Sequence, residues 1–278
     1  MGITAIAVST TDTLASITTN TQEINPRDWS PKFYCNKLRL LGSSTNDSAQ
    51  LYVEINDTLI TPYYNKHEHL YQFELPYYTD SLTIKLQQPS GKFTLTGMLL
   101  ENDLPGITYH GIGVNGASLN SYFKCDNFAR DLALLKPDLM IFAIGINDAT
   151  SVNFDPNIFM ANYERMLNLV KKTCPNCALL FITNNDSYRR QRRNYYVNRN
   201  GELVEQCFLQ MGKKYNAAVW DLFDIMGGLH SMQQWEYEGL AKRDKIHFTY
   251  KGYTLIGDMF YNALIEAYLN HLRDKYKK

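Results

Sequence analysis

The apolar pattern changes period near residue 105, and no other feature of the chain constrains its fold so much. Upstream, short runs at 37–41, 50–56, 70–75, 81–86 and 92–100 alternate apolar with polar residues. Period two sends successive side chains to opposite faces of a strand. Turn residues at 42–47, Asn56-Asp57 and Pro89-Ser90-Gly91 break the runs about every ten positions. The Ser/Thr-rich start at 9–21 suits a further, polar strand, and helical periodicity is absent. This spacing predicts a small antiparallel β-sandwich over residues 1–105.

Beyond Pro105-Gly106, strand and helix patterns alternate. Residues 107–114, 138–144, 178–183 and 217–220 read as strands. The run Leu139-Met140-Ile141-Phe142-Ala143-Ile144 is continuously apolar, as strands buried on both faces of a parallel sheet are. Helical stretches lie at 126–135, 158–172 and 201–215, and a long helix over 250–275 ends the chain; Ile158, Phe159, Tyr163, Met166, Leu167 and Val170 share one side of the second. Residues 106–278 are therefore expected to form an α/β domain around a parallel sheet.

Charge and composition exclude some functions. The chain balances 28 Lys+Arg against 28 Asp+Glu, so no nucleic-acid partner is expected. No apolar run approaches the ~18–20 residues of a membrane span, and the opening Met1-Gly2-Ile3-Thr4-Ala5-Ile6-Ala7-Val8 is too short and uncharged for a signal peptide. Twenty Tyr beside three Trp fit half-buried strand faces, and also grooves that stack polar ligands. Cys174-Pro175-Asn176-Cys177 has no second ligand pair at zinc spacing, and His67 and His69 have no third ligand. No metal and no organic cofactor is expected.

In doubly wound sheets the working residues sit past the carboxyl ends of strands. Three such loops stand out. His110-Gly111-Ile112-Gly113-Val114-Asn115-Gly116-Ala117-Ser118 is glycine-rich and presents N–H groups to an anion, although a plain tight turn has the same composition. Gly145-Ile146-Asn147-Asp148 places an amide donor in the crevice with an Asp to brace the loop, a pairing that ordinary turns also use. Arg243-Asp244-Lys245-Ile246-His247-Phe248-Thr249 sets a carboxylate three residues before an imidazole, spaced to bond Nδ1–H and leave Nε2 free as a base. A fourth segment, 188–196, reads as a solvated loop or as an anion clamp in which Arg189 and Arg190 bind substrate, since Arg beside Tyr suits carboxylates and sugar rings.

Together the three loops resemble the SGNH, or GDSL-like, hydrolase superfamily. The resemblance implies a flavodoxin-like three-layer domain in which Gly116 and Asn147 are oxyanion-hole donors, Asp244 orients, and His247 is the general base. The stretch from Met226-Gly227-Gly228 through Ser231, Trp235 and Gly239-Leu240 to Gly252-Tyr253 is similar to bacterial peptidoglycan or polysaccharide O-acetylesterases, in which a carbohydrate-binding-like β-sandwich interrupts the hydrolase domain. It implies an acylated carbohydrate or peptidoglycan substrate and a periplasmic or secreted location.

One departure matters. The family's nucleophile stands in Gly-Asp-Ser after the first strand, and no Gly-Asp-Ser occurs here. The chain is thus expected to lack the first strand and the nucleophile, and to be inactive alone; Ser9, Ser118 and Ser151 are weaker candidates. Either residues 3–8 or another copy of the chain is expected to fill the gap in the sheet. The rival reading is a non-catalytic glycan-binding protein with a degenerate hydrolase domain.

Overall fold

The computed structural model describes residues 3, 6–20 and 33–276. The chain divides into two compact units, one of residues 1–115 and 121–135, the other of residues 116–120 and 136–278.

The first unit is built from strands β1 (Val8–Thr10), β2 (Leu14–Asn20), β3 (Cys35–Ser44), β4 (Gln50–Ile55), β5 (Thr58–Ile60), β6 (Tyr63–Asn65), β7 (Leu70–Thr79), β8 (Ser81–Gln87) and β9 (Phe93–Glu101). They form two antiparallel sheets, ordered β1-β9-β3-β7-β6 and β2-β8-β4-β5. Period two explains the burial: Leu51, Val53 and Ile55 of β4 and Leu82, Ile84 and Leu86 of β8 point inward. With Leu38, Leu40, Tyr71 and Phe73 of the other sheet they form one buried cluster. The short helix α1 (Leu119–Tyr122) straddles the division along the chain, and α2 (Phe128–Leu135) belongs to the first unit. Arg39 grips Glu101 through Nε at 2.6 Å and donates to the Leu134 carbonyl at 3.1 Å, tying α2 to β3 and β9.

The second unit contains β10 (Leu139–Phe142), α3 (Ile146–Ala149), α4 (Pro156–Thr173), β11 (Ala178–Ile182), β12 (Tyr188–Gln191), β13 (Asn194–Val197), α5 (Asn200–Tyr215), β14 (Ala218–Trp220), α6 (Leu222–Ile225), α7 (Ser231–Tyr237) and α8 (Tyr250–Tyr276). Strands β10, β11 and β14 form a parallel sheet with β11 in the middle. On one face Phe142 and Phe181 meet Phe159 and Tyr163 of α4 and Phe208 of α5, with ring centroids 5.0–6.1 Å apart. On the other, Leu180, Ile182 and Trp220 pack against Ile256, Met259, Phe260 and Leu264 of α8. These are the three layers, helices on each face of a parallel sheet, of an α/β domain. Burying each large side chain contributes about 1.5–3 kcal/mol, and Asp155 caps α4 by accepting from the Asn157 N–H at 2.8 Å.

Three expectations change. Residues 107–114 form no strand: Ile107 is 100% and Tyr109 84% exposed. Their alternation suits a strand, but no neighbouring strand supplies the hydrogen bonds that one requires. Among the described residues, the second edge of β10 likewise has no paired strand. Of residues 3–8, Ile3 donates its N–H to buried Asp131 and Val8 pairs with Leu95 in the antiparallel unit, so neither pairs with β10; residues 4 and 5 lie outside the described residues. Residues 188–196 fall within the antiparallel hairpin β12–β13 and not in an irregular loop. Among the described residues no helix is long and apolar enough to cross a membrane.

Candidate functional site

Asp244 and His247 lie on the loop between α7 and α8. The isolated bridge Ala241↔Phe248 closes the base of this loop, and the Lys242 N–H donates to the His247 carbonyl at 2.7 Å. Thr249 accepts on Oγ1 from the Gly252 N–H at 3.2 Å and so caps the first turn of α8. Gly252 is required there: a Cβ would sit 2.0 Å from the Leu240 carbonyl oxygen.

Inside this frame the Asp244 carboxylate accepts three bonds. Oδ1 takes the N–H groups of Ile246 and His247, each at 2.9 Å, and Oδ2 faces His247 Nδ1 at 3.0 Å. Burial alone would push the Asp244 carboxyl up. The bonds from the His247 N–H, its imidazole and the Ile246 N–H outweigh that and hold it below its ordinary value. A carboxylate fixed on Nδ1 selects the tautomer with Nδ1–H and leaves Nε2 with a free lone pair. The imidazole is open to solvent, with 57% of its side chain exposed.

The other two sequence-predicted loops also meet each other. Asn147, at the start of α3, donates through Nδ2 to the Ala117 carbonyl at 2.8 Å, next to Gly116. The Leu119 N–H donates to Asp148 Oδ2 at 3.1 Å. Gly116 has φ +74°, which a side chain tolerates poorly, and a Cβ there would meet nothing within 4 Å. One hydrogen of the Asn147 amide is committed to Ala117, and the second remains available as a donor. Half-buried Asp148 has its carboxyl pushed up by desolvation, partly offset by the Leu119 N–H.

Of the serines weighed as nucleophiles, Ser9 lies in β1 with its hydroxyl 3.0 Å from Thr94 Oγ1, and Ser151 accepts the Asn153 N–H on its own Oγ. Neither is bonded to His247. Arg189 and Arg190 stand on β12, paired across the hairpin with Tyr196 and Tyr195.

A profile of the GDSL-like Lipase/Acylhydrolase family matches residues 80–255, more than half of the chain. The chain belongs to this family. Its fold is similar to that of a peptidoglycan O-acetylesterase, with a TM-score of 0.70 at 19% identity over 94% of this chain and 77% of that one. The acetyl xylan esterase AlAXEase gives a TM-score of 0.44 at 16% identity, over 54% of this chain and 78% of that one. A catalytic mutant of the acetylxylan esterase Axe2 from Geobacillus stearothermophilus gives 0.37 at 20% identity, over 52% and 66%. No curated protein matches the chain.

Within this family member the residues that the sequence reading missed follow β11. Asn185 donates through Nδ2 to the Ile246 carbonyl at 3.0 Å, and the Tyr188 N–H donates to the Lys245 carbonyl at 3.0 Å, so this segment holds the Asp244–His247 loop from below. Asp186 is fully buried and accepts the Met232 N–H at 3.0 Å; burial pushes its carboxyl up. Asn198 and Asn200 donate to the Ala149 carbonyl at 3.0 and 2.9 Å and fix the end of α3. Gly145 packs so closely that a Cβ would lie 2.9 Å from Asn184 Oδ1. The run Asn184-Asn185-Asp186-Ser187 past the carboxyl end of a parallel strand was the available signal.

Proposed function

We propose that this chain carries the base and the oxyanion donors of a serine esterase that removes O-acyl groups, chiefly O-acetyl, from a carbohydrate or cell-wall glycan. The observation that carries the reading is the 3.0 Å contact between Asp244 Oδ2 and His247 Nδ1, which directs Nε2 outward. The family membership and the likeness in fold to a peptidoglycan O-acetylesterase support it. No Gly-Asp-Ser occurs among these 278 residues, and in this reading the chain alone hydrolyses esters negligibly. Residues 1–105 would be a carbohydrate-binding-like β-sandwich module and residues 106–278 the hydrolase domain.

The chemistry follows from the residues. As the serine Oγ attacks the acyl carbon, its proton passes to His247 Nε2, and the carbonyl electrons move onto oxygen, where the Gly116 N–H and Asn147 donate hydrogen bonds. Collapse breaks the ester C–O bond, and Nε2 returns the proton to the departing sugar oxygen. Water, deprotonated by the same nitrogen, then releases the acid and restores the serine.

The test compares this chain with one extended upstream through a Gly-Asp-Ser segment, on p-nitrophenyl acetate and an O-acetylated glycan. The extended chain should turn over, and His247→Ala should abolish turnover. Asn147→Ala should lower kcat by roughly 10²–10³ with KM nearly unchanged. Activity that survives His247→Ala would refute the reading. Robust turnover by the 278 residues alone, lost in Ser9→Ala, would move the nucleophile to Ser9. Glycan binding without turnover in either chain would favour a non-catalytic binding protein.

A further inference from the structure

The hairpin β12–β13 carries Arg189, Arg190, Arg192 and Arg193 within five residues. Arg190 donates through Nε to the Arg192 carbonyl at 3.1 Å, but among the described residues none of the four pairs with a carboxylate. The fold does not consume these charges. Strand alternation puts Arg190 on the same face as Tyr188, Tyr195 and Val197, and Arg189 on the opposite face with Tyr196. Tyr195 and Tyr196 are both exposed.

The loop bearing His247 adds cations of its own. Lys242 and Arg243 are exposed and have no carboxylate partner among the described residues. Lys245 Nζ lies 5.0 Å from the Tyr188 ring centroid and 6.0 Å from that of Tyr195, and pairs with Glu236 at 3.4 Å. The bond from the Tyr188 N–H to the Lys245 carbonyl fixes the hairpin to this loop, two residues from His247. Seven cations thus gather on two joined segments of a chain whose total charge is zero. Glu236 offsets one, and Asp244 is committed to His247. Such a concentration raises a positive potential able to draw in and hold an anionic polymer.

We infer that the Arg190–Tyr195 face of this hairpin, with the arginines of its turn and Lys245, is the binding rail for an anionic glycan, whose carboxylates or phosphates the arginine forks grip while Tyr195 presents a flat face to the sugar rings. The inference rests on the esterase reading for its choice of polymer: a chain held on β12–β13 passes beside His247, where an O-acyl group on the same polymer would be cleaved. The rail is roughly 13 Å long, four residues at about 3.3 Å each.

Binding to the 278-residue chain tests this by calorimetry, with no turnover needed. Four probes are compared: a polygalacturonate oligomer, a poly(glycerol phosphate), neutral xylohexaose, and a single-stranded DNA oligonucleotide of equal charge. Arg190→Gln/Arg192→Gln/Arg193→Gln should weaken the anionic glycan at least tenfold with an unchanged unfolding midpoint. The triple Lys variant should keep most of the affinity, and 0.5 M salt should abolish it by screening. Binding of polygalacturonate or of poly(glycerol phosphate) supports the inference and names the anionic group. Binding of neither, equal binding of xylohexaose, or tighter binding of DNA would overturn it. Should the extended chain fail to hydrolyse esters while the rail still binds, the esterase reading alone falls. Hydrolysis without anionic binding would sink the rail alone.

Discussion

The loop that carries Asp244 and His247 is stitched to several other parts of its unit, whereas the turn that carries Gly116 is joined to the Asn147 loop through side-chain hydrogen bonds. In the first, Asn185 and Tyr188 hold the Ile246 and Lys245 carbonyls, Lys242 bonds His247, and Thr249 and Gly252 lock the loop to the start of α8. In the second, Asn147 bonds Ala117 and Asp148 accepts the Leu119 N–H, while Gly113 and Gly116 have open space where a side chain would be. The acid–base half of the candidate site is preorganised by packing, and the donor half by a few polar contacts. A proton acceptor needs a fixed tautomer, while N–H donors need only their direction, so the two halves tolerate damage differently.

Substitutions should expose that contrast. The largest effect is expected from Gly252→Ala, whose Cβ would meet the Leu240 carbonyl oxygen at 2.0 Å. Overpacking against backbone should cost about 3 kcal/mol or more, and the midpoint of thermal unfolding should fall by ~6 °C or more. A midpoint within 1 °C of the parent would mean that the loop is not locked to α8. Next comes Gly116→Ala, which adds no clash but places a side chain at φ +74°. Backbone strain of about 1–2 kcal/mol is expected in urea unfolding, and a clash-sized loss would show the turn to be as tightly packed as the His247 loop.

Asn185→Ala removes the donor to the Ile246 carbonyl, at an expected cost of about 1 kcal/mol. Its more telling readout is the His247 imidazole resonance, which should broaden as the loop loosens; an unchanged line would show that Asn185 does not position it. The smallest effect is that of Asp244→Asn. Asp244 is held below its ordinary value of 3.8, so its stabilisation is present above that pH and is lost as pH falls through the folded value. The carboxylate is 42% exposed, and solvent screening reduces the contribution to about 0.5 kcal/mol. Parent and variant should differ at pH 6 and converge near pH 2, and a gap that widened on acidification would contradict the bonding pattern.

The parts legible in the sequence are those fixed by local period and spacing. Strands β10, β11 and β14 and helices α4, α5 and α8 follow from apolar runs and 3.6-residue stripes, and Asp244 and His247 meet because a loop spans only two residues between them. What depended on distant partners was not legible. Residues 107–114 have a strand's alternation but no strand beside them, so pattern alone misled. The hairpin β12–β13 escaped notice because Arg192-Arg193 is not a glycine turn and its anchor, the Lys245 carbonyl, is 57 residues further on in sequence from Tyr188. Asn185 and Asp186 went unread because it is tertiary packing that makes one hold the His247 loop and buries the other.

The central claim is that His247 offers a bare Nε2 because Asp244 takes its Nδ1–H. Nitrogen-15 NMR of the imidazole in the 278-residue chain, at a pH where the ring is neutral, reads this directly. The account expects the Nδ1–H tautomer in the parent, and its loss in Asp244→Ala. A neutral ring protonated on Nε2 in the parent would leave no lone pair for a serine proton and would contradict the assignment of His247 as the base.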